Sequence, residues 1–158
     1  MKFAEINKND FINGEGVCVS LWMQGCPHHC KGCHNKNQWN FDGGQEINKK
    51  ELINTILSSI NANNIQRNFS LLGGEPLAQK NIIDALDILK EVKKAFPTIK
   101  TYVWTGYTLE ELLVLYEKNI FENIDVLIDG KFILEERDIT LKLRGSRNQR
   151  ILYKGIDF

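Results

Sequence analysis

No stretch of this 158-residue chain approaches the ~20 consecutive apolar residues that a membrane-spanning helix requires. The opening run Met1-Lys2-Phe3-Ala4-Glu5-Ile6-Asn7 also lacks the apolar centre of a secretory signal. Together these absences predict a cytoplasmic protein with no membrane partner. Charge of one sign is missing too: 20 Lys and Arg balance 20 Asp and Glu. That balance argues against an extended nucleic-acid surface and leaves only local basic patches, so the expected partners are proteins or small molecules. Repeats, low-complexity tracts and Pro/Gly/Ser linkers are absent as well, and residues 1–158 are read as one domain. A domain of that length buries about 68–70% of the surface its unfolded chain exposes.

A fourth clustered cysteine is the most informative absence. Of 4 cysteines, Cys26, Cys30 and Cys33 fall in one loop, Gly25-Cys26-Pro27-His28-His29-Cys30-Lys31-Gly32-Cys33-His34-Asn35, a C-x3-C-x2-C run. Such clustering favours a metal site in a reducing compartment over a disulfide framework. Structural zinc wants four closed ligands, and an ordinary 4Fe-4S cluster wants four thiolates. Three converging sulfurs therefore suggest an iron-sulfur centre left open on one side, where an iron could bind substrate. The competing assignment is structural zinc completed by Cys18, His28, His29 or His34, although zinc ribbons usually carry two separated C-x2-C pairs. Cys18 lies within a strand-like run, where a free cysteine packs as a small hydrophobe. His28 and His29 read as solvated loop residues, while His34, beside Cys33, is placed to touch a cluster or its ligand.

Periodicity along the chain switches repeatedly between strand and helix. Val17-Cys18-Val19-Ser20-Leu21-Trp22 alternates as a strand after the turn Asn13-Gly14-Glu15-Gly16 and delivers the chain to the cysteine loop. Asn48 with Glu51 marks a capped helix whose apolar face is Leu52, Ile53, Ile56, Leu57 and Ile60. Phe69-Ser70-Leu71-Leu72 reads as a buried strand ending in Gly73-Gly74-Glu75-Pro76. Ile82, Leu86, Leu89, Val92 and Phe96 recur at helical spacing up to Pro97. Thr101-Tyr102-Val103-Trp104 supplies another strand before Thr105-Gly106-Tyr107, and Thr108 with Glu111 caps a helix from Leu109 to about Lys118. Asp125-Val126-Leu127-Ile128 then leads to Asp129-Gly130-Lys131-Phe132, and short strands are expected at Leu141 to Leu143 and Arg150 to Tyr153.

Strands alternating with amphipathic helices imply an α/β fold with parallel neighbours, because parallel strands need crossovers that a helix normally supplies. Too few strands are present for a closed eight-stranded barrel. The expected architecture is an incomplete (β/α) barrel with a mostly parallel, curved sheet. The cysteine loop, Gly-Gly-Glu-Pro, Thr-Gly-Tyr and Asp-Gly-Lys-Phe each follow a strand and should line one rim. Gly73 and Gly74 would let a ligand approach the backbone there, and Glu75 offers a carboxylate suited to an ammonium group.

Taken together, Cys26, Cys30 and Cys33 after one strand and Gly73-Gly74-Glu75-Pro76 after the next resemble the radical S-adenosylmethionine superfamily. The residue before that family's last cysteine is often aromatic, whereas here it is Gly32, which leaves backbone contact with the adenine. Within the superfamily, the cysteine loop, Trp104-Thr105-Gly106-Tyr107, Asp125 through Phe132 and Arg144-Gly145-Ser146-Arg147-Asn148-Gln149-Arg150 are similar to the activases of anaerobic ribonucleoside-triphosphate reductases. The resemblance spans nearly the whole chain, and its compact length agrees, since other glycyl-radical activases are generally larger.

This resemblance implies a 4Fe-4S cluster on Cys26, Cys30 and Cys33 whose open iron chelates S-adenosyl-L-methionine. It further implies reductive cleavage of that cofactor and formation of a glycyl radical on the large anaerobic ribonucleoside-triphosphate reductase subunit. A low-potential electron donor such as flavodoxin or ferredoxin would be required. Gly73, Gly74 and Glu75 would receive the methionine end of the cofactor, and Gly32, Cys33 and His34 would lie near its adenosyl end. Thr105 and Asp129 are possible ribose contacts or turn caps. Arg144, Arg147 and Arg150 are candidates for docking the reductase or for a solvated surface strand. The alternatives are a radical S-adenosylmethionine enzyme acting on a small molecule, and a metal-stabilised interaction module.

Overall fold

The computed structural model describes residues 1–158, arranged around one seven-stranded open sheet with strand order β3-β1-β2-β4-β5-β6-β7. The strands are β1 (Lys2–Asp10), β2 (Cys18–Met23), β3 (Gln45–Glu46), β4 (Asn68–Gly73), β5 (Thr101–Trp104), β6 (Val126–Asp129) and β7 (Arg150–Tyr153). The helices α1 (Lys49–Ile60), α2 (Ile82–Ala95) and α3 (Leu109–Leu115) supply crossovers. Strands β2, β4, β5 and β6 run parallel, with Cys18 opposite Asn68, Phe69 opposite Thr101, and Tyr102 opposite Val126. Antiparallel strands flank them, β3 and β1 on one side and β7 on the other. The two edge strands do not meet, so the expected incomplete barrel is what forms.

Side-chain alternation divides the sheet. Val19, Leu21, Met23, Phe69, Leu71, Val103 and Leu127 join the main core with Leu52, Ile56 and Ile60 of α1 and Ala85, Ile88, Leu89 and Val92 of α2. Each large aliphatic side chain fully withdrawn from water there contributes about 1.5–3 kcal/mol, which fixes the strand register because a one-residue slip would move this set away from the helices to the opposite face of the sheet. The intervening positions Cys18, Ser20, Ser70, Tyr102 and Ile128 point to the other face and are also buried. At the lower end of that face, the Ser70 hydroxyl donates to the Asn13 carbonyl and Gly14 sits against Cys18 and Tyr102. The upper end stays open at the carboxyl ends Met23, Gly73, Trp104 and Asp129.

Local signals explain the helices. The Asn48 side chain accepts from the Lys50 and Glu51 amides at 3.0 and 3.4 Å. Thr108 and Glu111 form the expected reciprocal cap at 3.2 and 2.8 Å. Helix α3 stops at Leu115 rather than near Lys118, because Tyr116 is extended (φ −138°, ψ 159°) and its hydroxyl donates to the Leu77 carbonyl at 2.9 Å. The strand expected at Leu141 to Leu143 does not form. Leu143 has a left-handed φ of +59°, which no ladder accommodates, and its carbonyl accepts from the Trp104 indole at 2.8 Å. Strand β1 gave no clear apolar alternation, having only Phe3 and Asp10 buried.

Candidate cluster and cofactor site

The cysteine loop leaves β2 and is braced from beneath. Gln24, buried, donates to the carbonyls of Asn37 and Asn40 at 3.1 and 2.7 Å. The amides of Gly25 and Cys26 donate to the Gln38 and Trp39 carbonyls at 2.8 and 3.0 Å. Farther on, the Cys33 amide donates to the Cys30 carbonyl at 3.1 Å, and the Asn35 amide to Cys33 Sγ at 3.4 Å. Asn81, just before α2, reaches back with its side-chain amide to the carbonyls of Gln24, Gly25 and Glu75. Gln24, Trp39 and Asn81 are site-building residues that carry no motif of their own.

Cys26, Cys30 and Cys33 border a cavity of about 170 Å³ at the open end of the sheet. Gly73 and Gly74 form a second wall, Thr105 and Gly106 a third, and Gly130 with Phe132 a fourth. Four strand-end loops therefore meet around three thiols. Leu72, Trp104 and Phe132 make much of the lining apolar. Burial pushes the Cys26 thiol up to about 11, partly offset by backbone hydrogen bonds from His28 and His29. Burial likewise raises Cys30, against a backbone hydrogen bond from Phe132. Amide donors aimed at sulfur favour its anionic form and suit a ligand thiolate. Three soft sulfur donors around one cavity, with no fourth thiol among its lining residues, suit a four-iron cluster open on one side better than a closed four-ligand zinc site. Cys18 is remote from them, wholly buried at the start of β2, with its thiol directed at the Glu15 carbonyl at 3.7 Å.

The remaining expected residues are distributed unevenly. Gly73 and Gly74 reach the cavity, whereas Gly32 and His34 lie outside its wall. A Cβ on Gly32 would stand 2.8 Å from Leu134, and the His34 ring is tilted against Phe132 with centroids 5.9 Å apart. Glu75 is fully buried and satisfied within the protein. Its Oε1 accepts from the Thr105 hydroxyl and the Leu77 amide at 2.8 and 3.0 Å. Its Oε2 accepts from the Gly106 amide at 2.6 Å and from His28 Nε2 at 2.8 Å. The carboxylate thus binds loops to one another instead of facing the cavity. His28, expected in solvent, is turned inward.

Asp129 and Arg150 are also engaged internally. Asp129 accepts from the Leu109 amide at 2.7 Å and from both Nε and Nη2 of Arg150, whose guanidinium also grips Glu110 at 3.0 and 2.7 Å. Arg150 therefore pins β7 and β6 to the start of α3. That contact holds Glu110 down at about 2. Arg144 donates to the Gln149 carbonyl at 3.0 Å.

Residues 12–152 match the family model of the 4Fe-4S single cluster domain. The chain is 40% identical over 156 residues to the anaerobic ribonucleoside-triphosphate reductase-activating protein of Pasteurella multocida (strain Pm70), covering 98% of each. It is 36% identical over 150 residues to the protein of that name from Escherichia coli (strain K12), covering 94% of this chain and 96% of the relative. The corresponding protein of Enterobacteria phage T4 is 36% identical over 152 residues, covering 96% and 93%.

Proposed function

The chain belongs to the family of anaerobic ribonucleoside-triphosphate reductase-activating proteins, and we propose that Cys26, Cys30 and Cys33 hold three corners of its 4Fe-4S cluster while the adjoining cavity receives S-adenosylmethionine. The observation that carries this reading is the meeting of three thiols with Gly73 and Gly74 around one cavity at the carboxyl ends of parallel strands.

A cluster held by Cys26, Cys30 and Cys33 would supply one electron for breaking the bond from the sulfonium sulfur of S-adenosylmethionine to C5', which would yield methionine and the means to take a hydrogen atom from a glycine. The chain's own residues prepare that chemistry. Burial raises the Cys26 and Cys30 thiols, so both must surrender protons to ligate iron. Gly73 and Gly74 offer bare backbone to the methionine end, with Glu75 fixing their loop from behind. Cys33 borders the adenosyl end, with Gly32 and His34 behind the cavity wall, where the His34 ring is tilted against Phe132. Leu72, Trp104 and Phe132 exclude water from the cavity. The glycine belongs to the large anaerobic ribonucleoside-triphosphate reductase subunit, which covers the rim, and a low-potential donor such as flavodoxin or ferredoxin delivers the electron in the cytoplasm.

Anaerobic reconstitution tests the assignment. About four iron and matching sulfide per chain are expected, as for one cubane cluster, together with reductant-dependent release of methionine and 5'-deoxyadenosine. Stoichiometric zinc without sulfide would instead make the chain a metal-stabilised interaction module.

A further inference from the structure

His28 has no part in the chemistry proposed above, yet its placement is specific. It lies between Cys26 and Cys30 and is flanked by exposed Pro27 and His29, while its own side chain is only 7% exposed. The imidazole Nε2 donates to Glu75 Oε2 at 2.8 Å. Its ring meets Tyr107 edge-on, with centroids 4.5 Å apart and planes at 73°. A Cβ on Gly106 would fall 2.4 Å from the imidazole Cδ2, so the backbone there leaves a slot that only glycine permits.

Through Glu75 the histidine joins three loops. The same carboxylate holds the Thr105 hydroxyl and the amides of Leu77 and Gly106. Upstream, Gly25 and Cys26 are fixed by backbone bonds to Gln38, Trp39 and the Glu75 amide. Downstream, Cys33 closes onto Cys30. Across the intervening stretch, His28 supplies the side-chain donor that reaches the Gly-Gly-Glu-Pro loop.

We infer that His28 is a positioning residue that fixes the span from Cys26 to Cys30 against the loops after β4 and β5, setting where the sulfurs stand before iron arrives. The inference deepens the proposed function and rests on those cysteines being cluster ligands, but the order of the loop can also be tested in protein without iron. Loss of the imidazole leaves Glu75 Oε2 still bonded to the Gly106 amide, so the fold should survive while the loop loosens.

The test compares wild type, His28→Ala and His28→Gln by two readouts. In the unloaded protein, amide hydrogen exchange from His28 to Cys33 should accelerate in His28→Ala while β4 and β5 exchange as in wild type. In reconstituted protein, iron loss to a chelator should be on the order of 10–100-fold faster, the usual consequence of removing a group that orients metal ligands. His28→Gln, which keeps a donor near the position of Nε2, should recover most of both effects. Unchanged exchange and iron retention in His28→Ala would overturn the inference. So would His28→Gln behaving like alanine, or acceleration spread evenly through β4 and β5. Should wild type take up no iron, the proposed function fails, and the exchange comparison still decides the role of His28.

Discussion

Gly74 lies directly against Gly25: a Cβ added to Gly74 would sit 2.4 Å from the Gly25 carbonyl oxygen and 2.8 Å from its carbonyl carbon. Gly25 immediately precedes Cys26 and its carbonyl accepts from the Glu75 amide at 2.8 Å. The Gly-Gly pair was expected to leave room for a ligand, but at Gly74 the space is claimed first by the protein's own backbone. Gly74→Ala should therefore cost about 1–3 kcal/mol as an overpacking substitution and impair iron uptake as well as cofactor binding. Urea unfolding of the unloaded protein and iron counting after reconstitution check this. A stable variant that loads fully and fails only in cofactor binding would show that the added methyl group points into ligand space instead.

The four cysteines should separate cleanly. Cys18→Ala removes one buried sulfur from the sheet interior, a loss of about 1 kcal/mol on the scale of a buried methylene, and should load iron normally. Alanine at Cys26, Cys30 or Cys33 should abolish a stable cluster. Iron and sulfide analysis of the four variants decides it, and cluster loss in Cys18→Ala with retention in any other would reverse the assignment.

Burial moves the Cys26 thiol from an ordinary value near 9.0 up to about 11. Because the folded value is raised, the unfolded chain releases this proton first as pH climbs. The associated stability is complete below about 9 and is lost as pH approaches 11. Unloaded protein should accordingly weaken across that window, and Cys26→Ala should weaken less. Iron uptake should show the opposite trend, accelerating with pH as thiolate becomes available. Denaturant midpoints and uptake rates over a pH series measure both; a flat uptake profile would contradict the requirement for proton release.

Arg150 should matter to stability more than the other arginines of its segment. Asp129 is 1% exposed, and Arg150→Ala would leave it with the Leu109 amide alone. The loss should be about 2 kcal/mol, within the range for hydrogen bonds to charged groups. Arg147→Ala should stay near wild type in the same unfolding measurement. Equal, negligible losses would return Arg150 to the role of a solvated docking residue.

Much of the scaffold was legible because its signals are local. Asn48 with Glu51 and Thr108 with Glu111 announced helix starts, and the apolar strands ending at Gly73 and Trp104 placed the rim loops. Cys26, Cys30 and Cys33 revealed themselves by spacing. What escaped depends on distant partners. His28 looks solvated until Glu75, 47 residues away, is brought beneath it. Asp129 and Arg150, 21 residues apart, are consumed by each other. Strand β1 is held by its pairing with β2 and not by an apolar pattern of its own, while Leu143 took its turn from an indole 39 residues earlier.

The most direct test of the account follows hydrogen out of the partner. Reduced, reconstituted protein and S-adenosylmethionine are combined with the large anaerobic ribonucleoside-triphosphate reductase subunit carrying glycine deuterated at Cα. Deuterium should appear in 5'-deoxyadenosine as a glycyl radical signal grows in the paramagnetic resonance spectrum. Cleavage of the cofactor with intact partner, but with neither label transfer nor that signal, would contradict the activase reading and favour a small-molecule substrate.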